Sequence, residues 1–365
     1  MISASTSPTT ATLSTQKLPA LPQGITPRWN VEGAHPRGGR FESWTLQAAD
    51  TQEGGVAFWI QLSVLVSANA FRRIAEARIK LAWKPSATFS PLEESNQITL
   101  RQQHDIALFS SNPDTPGFQI GPCSLQEDRS KGEIVSRGKR VEWDLRLDSQ
   151  GSQGFRMTPK LKLQGSPGPF GRDCLAEAIH VSGVLRYGDR EWKIQGACGS
   201  LDHSDGTRFP ENWARLHADR FVTDSAEPVE CEIDAYCVTP RGGWGMLRPN
   251  YQAFQMEWRG QRLLLNGWLH AFRSRSKFQL TEWNFEFSQR GYKVQGTLQS
   301  NLKDLSALTY ENTDGKSFFS ALSLSSYLRL LIFRDGKLEQ RLTCSDSAYF
   351  EMMANAKSQY VQPSA

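Results

Sequence analysis

From about Arg28 onward the chain alternates apolar and polar residues in short runs, broken by Gly, Pro, Asn and Asp. Phe41-Glu42-Ser43-Trp44-Thr45-Leu46, Val56-Ala57-Phe58-Trp59-Ile60-Gln61-Leu62 and Val141-Glu142-Trp143-Asp144-Leu145-Arg146-Leu147 each read as a half-buried strand. Successive side chains of a strand point to opposite faces, so a period of two is its signature. The same reading predicts strands over 179–187, 191–195, 229–238, 252–258, 262–269, 277–287, 293–299 and 328–333. Turn signals stand between them, as in Tyr187-Gly188-Asp189, Trp258-Arg259-Gly260 and Arg334-Asp335-Gly336. Helical periodicity is scarce; its best stretch is 347–357, with a weaker one over 67–80. So many strands predict an all-β protein of closed or sandwiched antiparallel sheets with few short helices.

A chain of 365 residues has room for two ordinary domains, so core size is not limiting and no disulfide framework is needed. Two halves of similar strand content fit two related β domains, expected at 28–199 and 200–358, with disordered tails at 1–27 and 359–365. The Gly165-to-Gly171 stretch, rich in Gly and Pro, reads as a loop within the first domain.

Composition narrows the partners. The net charge of +4 comes from 42 basic and 38 acidic residues without a long basic block, so no nucleic-acid role is expected. The apolar run Phe58 to Val66 is too short to span a bilayer as a helix, and a cytoplasmic protein is expected, with peripheral membrane contact left open. Residues Met1 to Lys17 hold Ser, Thr and Ala without an apolar core, which reads as a tail and not as a secretory signal. The six cysteines show no zinc or redox spacing and read as small buried side chains. Gly242-Gly243-Trp244-Gly245 lacks the Lys-Ser/Thr of a phosphate loop, and no nucleotide fingerprint or nucleophile elbow is present, so no cofactor is expected.

One stretch is dense in chemistry. Residues Leu201 to Phe221 hold two His, three Asp, one Glu, three Arg and a Phe209-Pro210-x-x-Trp213 anchor, with few aliphatics. Phe209 and Trp213 would pin this connector by packing, and the strand that follows would put His217 and Asp219 on one face, opposite Leu216 and Ala218.

These residues carry a resemblance. Gly38-Gly39-Arg40-Phe41-Glu42-Ser43-Trp44, followed by the aromatic strand at Val56-Ala57-Phe58-Trp59-Ile60, resembles the start of the tocopherol cyclase and carotenoid hydratase (AttH-type) superfamily of two-domain lipocalin-like proteins. Asp202-His203-Ser204-Asp205-Gly206 is similar to that family's Asp-His-x-Trp-Gly segment, with Asp205 standing where Trp is usual. Phe209-Pro210-x-x-Trp213 and Leu308 to Gly315 are similar to later family segments. The resemblance implies two lipocalin-like β domains and a hydrophobic small molecule as partner. It also implies a cofactor-independent isomerase, cyclase or hydratase that protonates a carbon-carbon double bond of an isoprenoid-like or other specialised metabolite.

Such chemistry needs a carboxylic acid kept neutral near pH 7 by desolvation. Asp202 is the acid that the motif carries over, His203 its partner, and Glu42, sharing a strand face with Trp44, a second acid. Trp44, Trp59, Asp205, Trp213 and His217 are the expected substrate-binding residues. Other readings stay open: Asp202 and His203 as a turn between domains, Glu42 as half of a surface salt bridge, and His217 with Asp219 on a solvated face. A metal site from His203, His217 and Asp202 fits no known spacing, so no metal is expected. A carrier that holds a hydrophobic molecule without converting it is the alternative function, favoured by Asp205 in place of Trp.

Overall fold

In a computed structural model the described residues are 25–27, 39–83 (except 51, 53 and 70), 96–112, 115–149, 155–156, 170–210, 212–238, 251–265, 274–289 and 291–353. They form twenty-two strands and two short 3-10 turns, and no α-helix. None of their helices is long and apolar enough to cross a membrane.

The first sheet opens with β1 (Arg40–Ala49), β2 (Val56–Val66), β3 (Arg73–Trp83) and β4 (Gln97–Asp105). It continues through β5 (Phe109–Asn112), β6 (Thr115–Ile120), β7 (Cys123–Gln126), β8 (Arg129–Ser136), β9 (Lys139–Asp148) and β10 (Phe155–Arg156). A long hairpin, β11 (Phe170–Tyr187) and β12 (Arg190–Gly206), closes it. The second sheet has β13 (Trp213–Val222), β14 (Pro228–Val238), β15 (Tyr251–Trp258) and β16 (Gln261–Leu265). After these come β17 (Arg275–Gln279), β18 (Glu282–Gln289), β19 (Tyr292–Gln299), β20 (Ser306–Glu311) and a second long hairpin, β21 (Ser317–Arg334) and β22 (Lys337–Met353).

The two sheets repeat one antiparallel plan. The first runs β4-β3-β2-β1-β12-β11-β9-β8-β7-β6-β5 and the second β16-β15-β14-β13-β22-β21-β19-β18-β17. In each, the opening strand pairs with the returning arm of the long hairpin, and a short strand (β10 or β20) caps the outgoing arm. Each sheet curls until one edge strand meets a strand from its far side: the Val135 N–H of β8 donates to Gln102 Oε1 of β4 at 2.9 Å, and Gln289 Nε2 of β18 to the Leu264 carbonyl of β16 at 2.9 Å. Both Arg259-Gly260 and Asp335-Gly336 have positive φ throughout, the signature of the tight turn that matches strand twist.

Three apolar clusters follow from the alternation. One fills the first sheet around Trp44, Phe58, Phe118 and Trp143; another fills the second around Phe254, Trp283, Phe287 and Phe350. The third joins the sheets: Phe41, Trp59 and Leu65 from the first meet Trp213, Tyr236, Tyr310 and Leu322 from the second. This third cluster is the seam between the sheets.

Several expectations change. The stretches read as helical are strands: β3 covers 73–83, and β22 runs to Met353, where the described part of 347–357 ends. Both carry helix-favouring Ala, Glu and Lys, yet Ala75, Ala77, Ile79 and Leu81 alternate with Glu76, Arg78 and Lys80, and tertiary pairing decides. The single strand expected over 277–287 is a hairpin turning at Leu280-Thr281. Gly199 lies inside β12, and the first sheet continues to Gly206. Gly242-Gly243-Trp244-Gly245 lies outside the described residues, as do 1–24 of the first tail and all of 359–365, while Ile25, near the expected end of the first tail, is buried in the first sheet's cluster.

Candidate functional site between the two sheets

Strand alternation sends every second side chain of β1, β2, β3 and β12 into the seam, where β13, β14, β20 and β22 answer them. What they carry is unusual for a dry interface. Asp202, Arg172, Arg215, Asp234, Glu76, Arg78, Lys80 and Glu351 are all buried. Ionised groups this far from water persist only when paired.

Asp202 is held by two guanidiniums. Arg215 reaches it across the seam through Nη1, and Arg172 approaches from the neighbouring β11 with Nη2 3.2 Å from Oδ2. Arg215 also donates to Ser200 Oγ at 3.1 Å, which in turn accepts from Gln47 Nε2 at 2.8 Å. Flat guanidiniums stack on rings: Arg172 lies 5.2 Å from the Trp213 ring centre and 5.7 Å from that of Tyr236, and Arg215 5.1 Å from that of Tyr349. Two adjacent cations favour the charged form of a carboxyl, a setting unlike the desolvated one expected for a neutral acid.

A second knot lies along the same seam. Glu351 accepts from Tyr310 Oη at 2.8 Å, Tyr349 Oη at 2.6 Å and Ser320 Oγ at 3.0 Å. Burial and then the Glu351 charge push both phenols well above the usual range, so they remain donors. Arg78 lies 4.7 Å from the Tyr310 ring centre and donates to the Thr309 carbonyl at 2.6 Å. Burial works to raise the Glu76 carboxyl, but Arg78, Arg101 and Gln103 outweigh it and hold the group below its ordinary value.

At the Asp234 end, His217 Nδ1 sits 3.1 Å from Asp234 Oδ2 and 4.0 Å from Glu232 Oε1. Burial works against the imidazolium, but Asp234, Glu232 and Asp219 raise His217 to about 9. Burial, together with Asp234, Asp219 and Glu257, lifts Glu232 to about 8 against the pull of His217. Asp234 stays below its ordinary value: burial opposes this, but His217 and Arg215 prevail.

Not every polar atom in the seam is used. The Tyr236 hydroxyl, the indole N–H groups of Trp213 and Trp59, and Asp202 Oδ1 are buried without a hydrogen-bond partner among the described residues. An orphaned buried donor costs roughly 1–3 kcal/mol. Tyr236 is fully buried, with burial first among the causes that push its phenol far up. Nearby, Phe41 stacks on Phe209 at 3.8 Å and on Phe170 at 6.2 Å, and Phe170 lies 6.3 Å from Tyr236. Beyond Phe41 and Phe209 is a cavity of about 30 Å³, bordered also by Gln61, Arg78 and Tyr310, which is room for a water or two.

The expected site residues divide between two places. Asp202 and His203 are consecutive in a regular strand and face opposite ways, so His203 is not the partner of Asp202. His203 Nε2 instead meets Glu42 Oε1 at 2.8 Å inside the first sheet, with the Trp44 ring 5.2 Å away. Glu42 is therefore neither a surface residue nor close to Asp202 in orientation, and no turn exists at 202–203. Asp205 pairs with Arg40 at 3.2 Å on the His203 side. Trp59, Trp213 and His217 face the seam with Asp202. The separation of His203 from Asp202 and His217 removes the metal trio considered from sequence.

Arg172, Arg215, Tyr236, Asp234, Glu232 and Glu351 were not singled out. Their signal is visible in Glu232-Ile233-Asp234-Ala235-Tyr236-Cys237: a strand whose polar face looks solvated until a second sheet covers it.

No family model matches the chain, and no curated protein does. Solved structures do. CghA superposes with a TM-score of 0.50 at 12% identity over 88% of this chain and 90% of its own, and CghA bound to Sch210972 with 0.50 at 13% over the same shares. A protein assigned as AttH from Nitrosomonas europaea gives 0.47 at 13% identity, covering 88% and 93%. Kievitone hydratase from Nectria haematococca gives 0.46 at 12%, covering 93% and 99%. The fold is thus that of CghA, a pair of antiparallel sheets built on one plan.

Proposed function

We propose that the seam binds a hydrophobic small molecule bearing a carbonyl or enol and promotes its isomerisation, cyclisation or hydration. The carrying observation is the orphaned Tyr236 hydroxyl, buried beside the Arg172 guanidinium and the unpartnered Trp213 N–H. Donors aimed into a water-poor space stabilise negative charge that develops on an oxygen. The Arg172 guanidinium, 5.7 Å from the Tyr236 ring centre, adds positive potential beside that hydroxyl, which suits an enolate or polarised carbonyl better than a carbocation. Asp202 then serves by fixing both guanidiniums, with the aromatic rings of Phe41, Phe170, Phe209 and Trp213 as the apolar wall. The compound takes the place of water in the cavity and displaces the Phe41/Phe209 stack. CghA, which has this fold, has been seen with Sch210972 bound. A carrier gains nothing from ionised groups in its lining, so conversion is the better reading.

The test begins with mass spectrometry of an organic extract of gently purified protein, followed by turnover of the recovered compound. Tyr236→Phe keeps the ring and removes the donor, and turnover should fall about 10²–10³-fold while the melting curve is retained. Equal turnover by the variant, or a recovered compound without an oxygen acceptor, overturns the proposal.

A further inference from the structure

We propose that His217, Glu232 and Asp234 form a binding site for a divalent transition-metal ion of the zinc or manganese class. His217 and Asp234 are directly paired across β13 and β14, and Glu232, two residues before Asp234, shares its face. One ligand atom from each lies within 4.8 Å of the others. Tetrahedral ligands with bonds of about 2.0 Å stand roughly 3.3 Å apart. The distances from His217 Nδ1, 3.1 Å to Asp234 and 4.0 Å to Glu232, bracket that value, so a small movement of one carboxylate completes three ligands.

The surroundings point to the same occupant. Asp219 lies on the same side, has a side chain only 10% exposed, and interacts electrostatically with both His217 and Glu232. Its Oδ2, like Glu232 Oε1, is buried without a hydrogen-bond donor among the described residues. Arg215 holds Asp202 and lies 3.6 Å from Asp234 Oδ1, the oxygen turned away from His217, and Arg220 donates to the Ala49 carbonyl at 2.5 Å, with Nε 3.8 Å from Asp219 Oδ1. Two carboxylate oxygens left without donors beside His217, one on Asp219 and one on Glu232, call for a cation near them. An imidazole nitrogen among the ligands selects against calcium and magnesium. Glu232, 16% exposed, gives access from solvent, and Asp219 or water supplies a fourth ligand.

This assignment does not depend on the seam's catalytic reading, and its test needs no substrate. The full chain, stripped with chelator and dialysed, is titrated with Zn²⁺ or Mn²⁺ alone by calorimetry. One ion per chain should bind, and Glu232→Gln, a partly exposed and isosteric change, should weaken binding at least about tenfold. Glu191→Gln, at a surface pair with Arg186, should leave it unchanged. Co²⁺ should give a visible absorption band that His217→Gln abolishes. No binding by the parent chain, or equal affinity in Glu232→Gln, overturns the assignment.

Discussion

Asp202 carries one negative charge between two guanidiniums, Arg172 at 5% exposure and Arg215 at 0%, and the sign of that arrangement governs what its loss does. Asp202→Asn keeps the shape but removes the charge shared by two buried guanidiniums, of which Arg215 keeps only the longer contact of 3.6 Å to Asp234. Breaking a buried ion pair on one side costs about 3–5 kcal/mol, so urea unfolding of the variant should show a loss of that order. Adding Arg172→Gln should recover part of it, because the two sites are coupled. Equal stability of Asp202→Asn and the parent chain would show that the clamp is not made. The motif marked Asp202 as a residue of interest, but its environment was not legible from neighbours in the chain. His203 stands next to it in sequence and faces the other way, whereas Arg215 comes from another sheet. Strand alternation was enough to put Glu42 beside Trp44; it could equally have parted Asp202 from His203.

At the scale of elements, each sheet solves one packing problem the same way. Gly132 on β8 sits under the Trp143 ring of β9, and Gly296 on β19 under the Phe285 ring of β18; in both, a side chain at the glycine would overlap the ring. Overpacking of this kind costs typically 1–3 kcal/mol. Gly296→Ala should therefore lower stability by about that amount, and Phe285→Leu in the same chain should return some of it. Thermal melts of the single and double variants decide the matter; additive losses would mean that the contact is not the cause. The strands and their turns were legible because period two and the Gly-containing dipeptides are local signals. β3 and the end of β22 were not, since both faces are buried over 75–81 and 348–353 and Glu76, Arg78, Lys80 and Glu351 give no solvent side from which to read a period. The hairpin at 275–289 was missed for another reason: Leu280-Thr281 has none of the usual turn residues.

At the scale of the whole molecule, the sheets are pinned by side chains of one reaching main-chain carbonyls of the other. Lys80 is the most telling: fully buried, it donates through Nζ to the carbonyls of Leu322 at 2.6 Å and Asp304 at 2.8 Å. Burial lowers its pKa to about 7, and the nearby Asp304 only partly opposes this. In the unfolded chain a lysine titrates near ~10.4. Between those values the unfolded state binds a proton that the folded state has released, so this group makes stability rise with pH from about 7 to about 10. Below pH 7 both states are charged, and the full cost of burying the ammonium is present without further slope. One proton corresponds to at most about 1.4 kcal/mol per pH unit. Lys80→Met removes the titration and leaves two carbonyls unsatisfied, so the variant should be less stable than the parent at pH 9 and closer to it at pH 6. Chemical unfolding at pH 6, 7.5 and 9 reads this difference directly, and groups shared by the two proteins cancel in it. A gap that stays constant across the three pH values would mean that Lys80 keeps its proton in the seam, held there by the two carbonyls and Asp304.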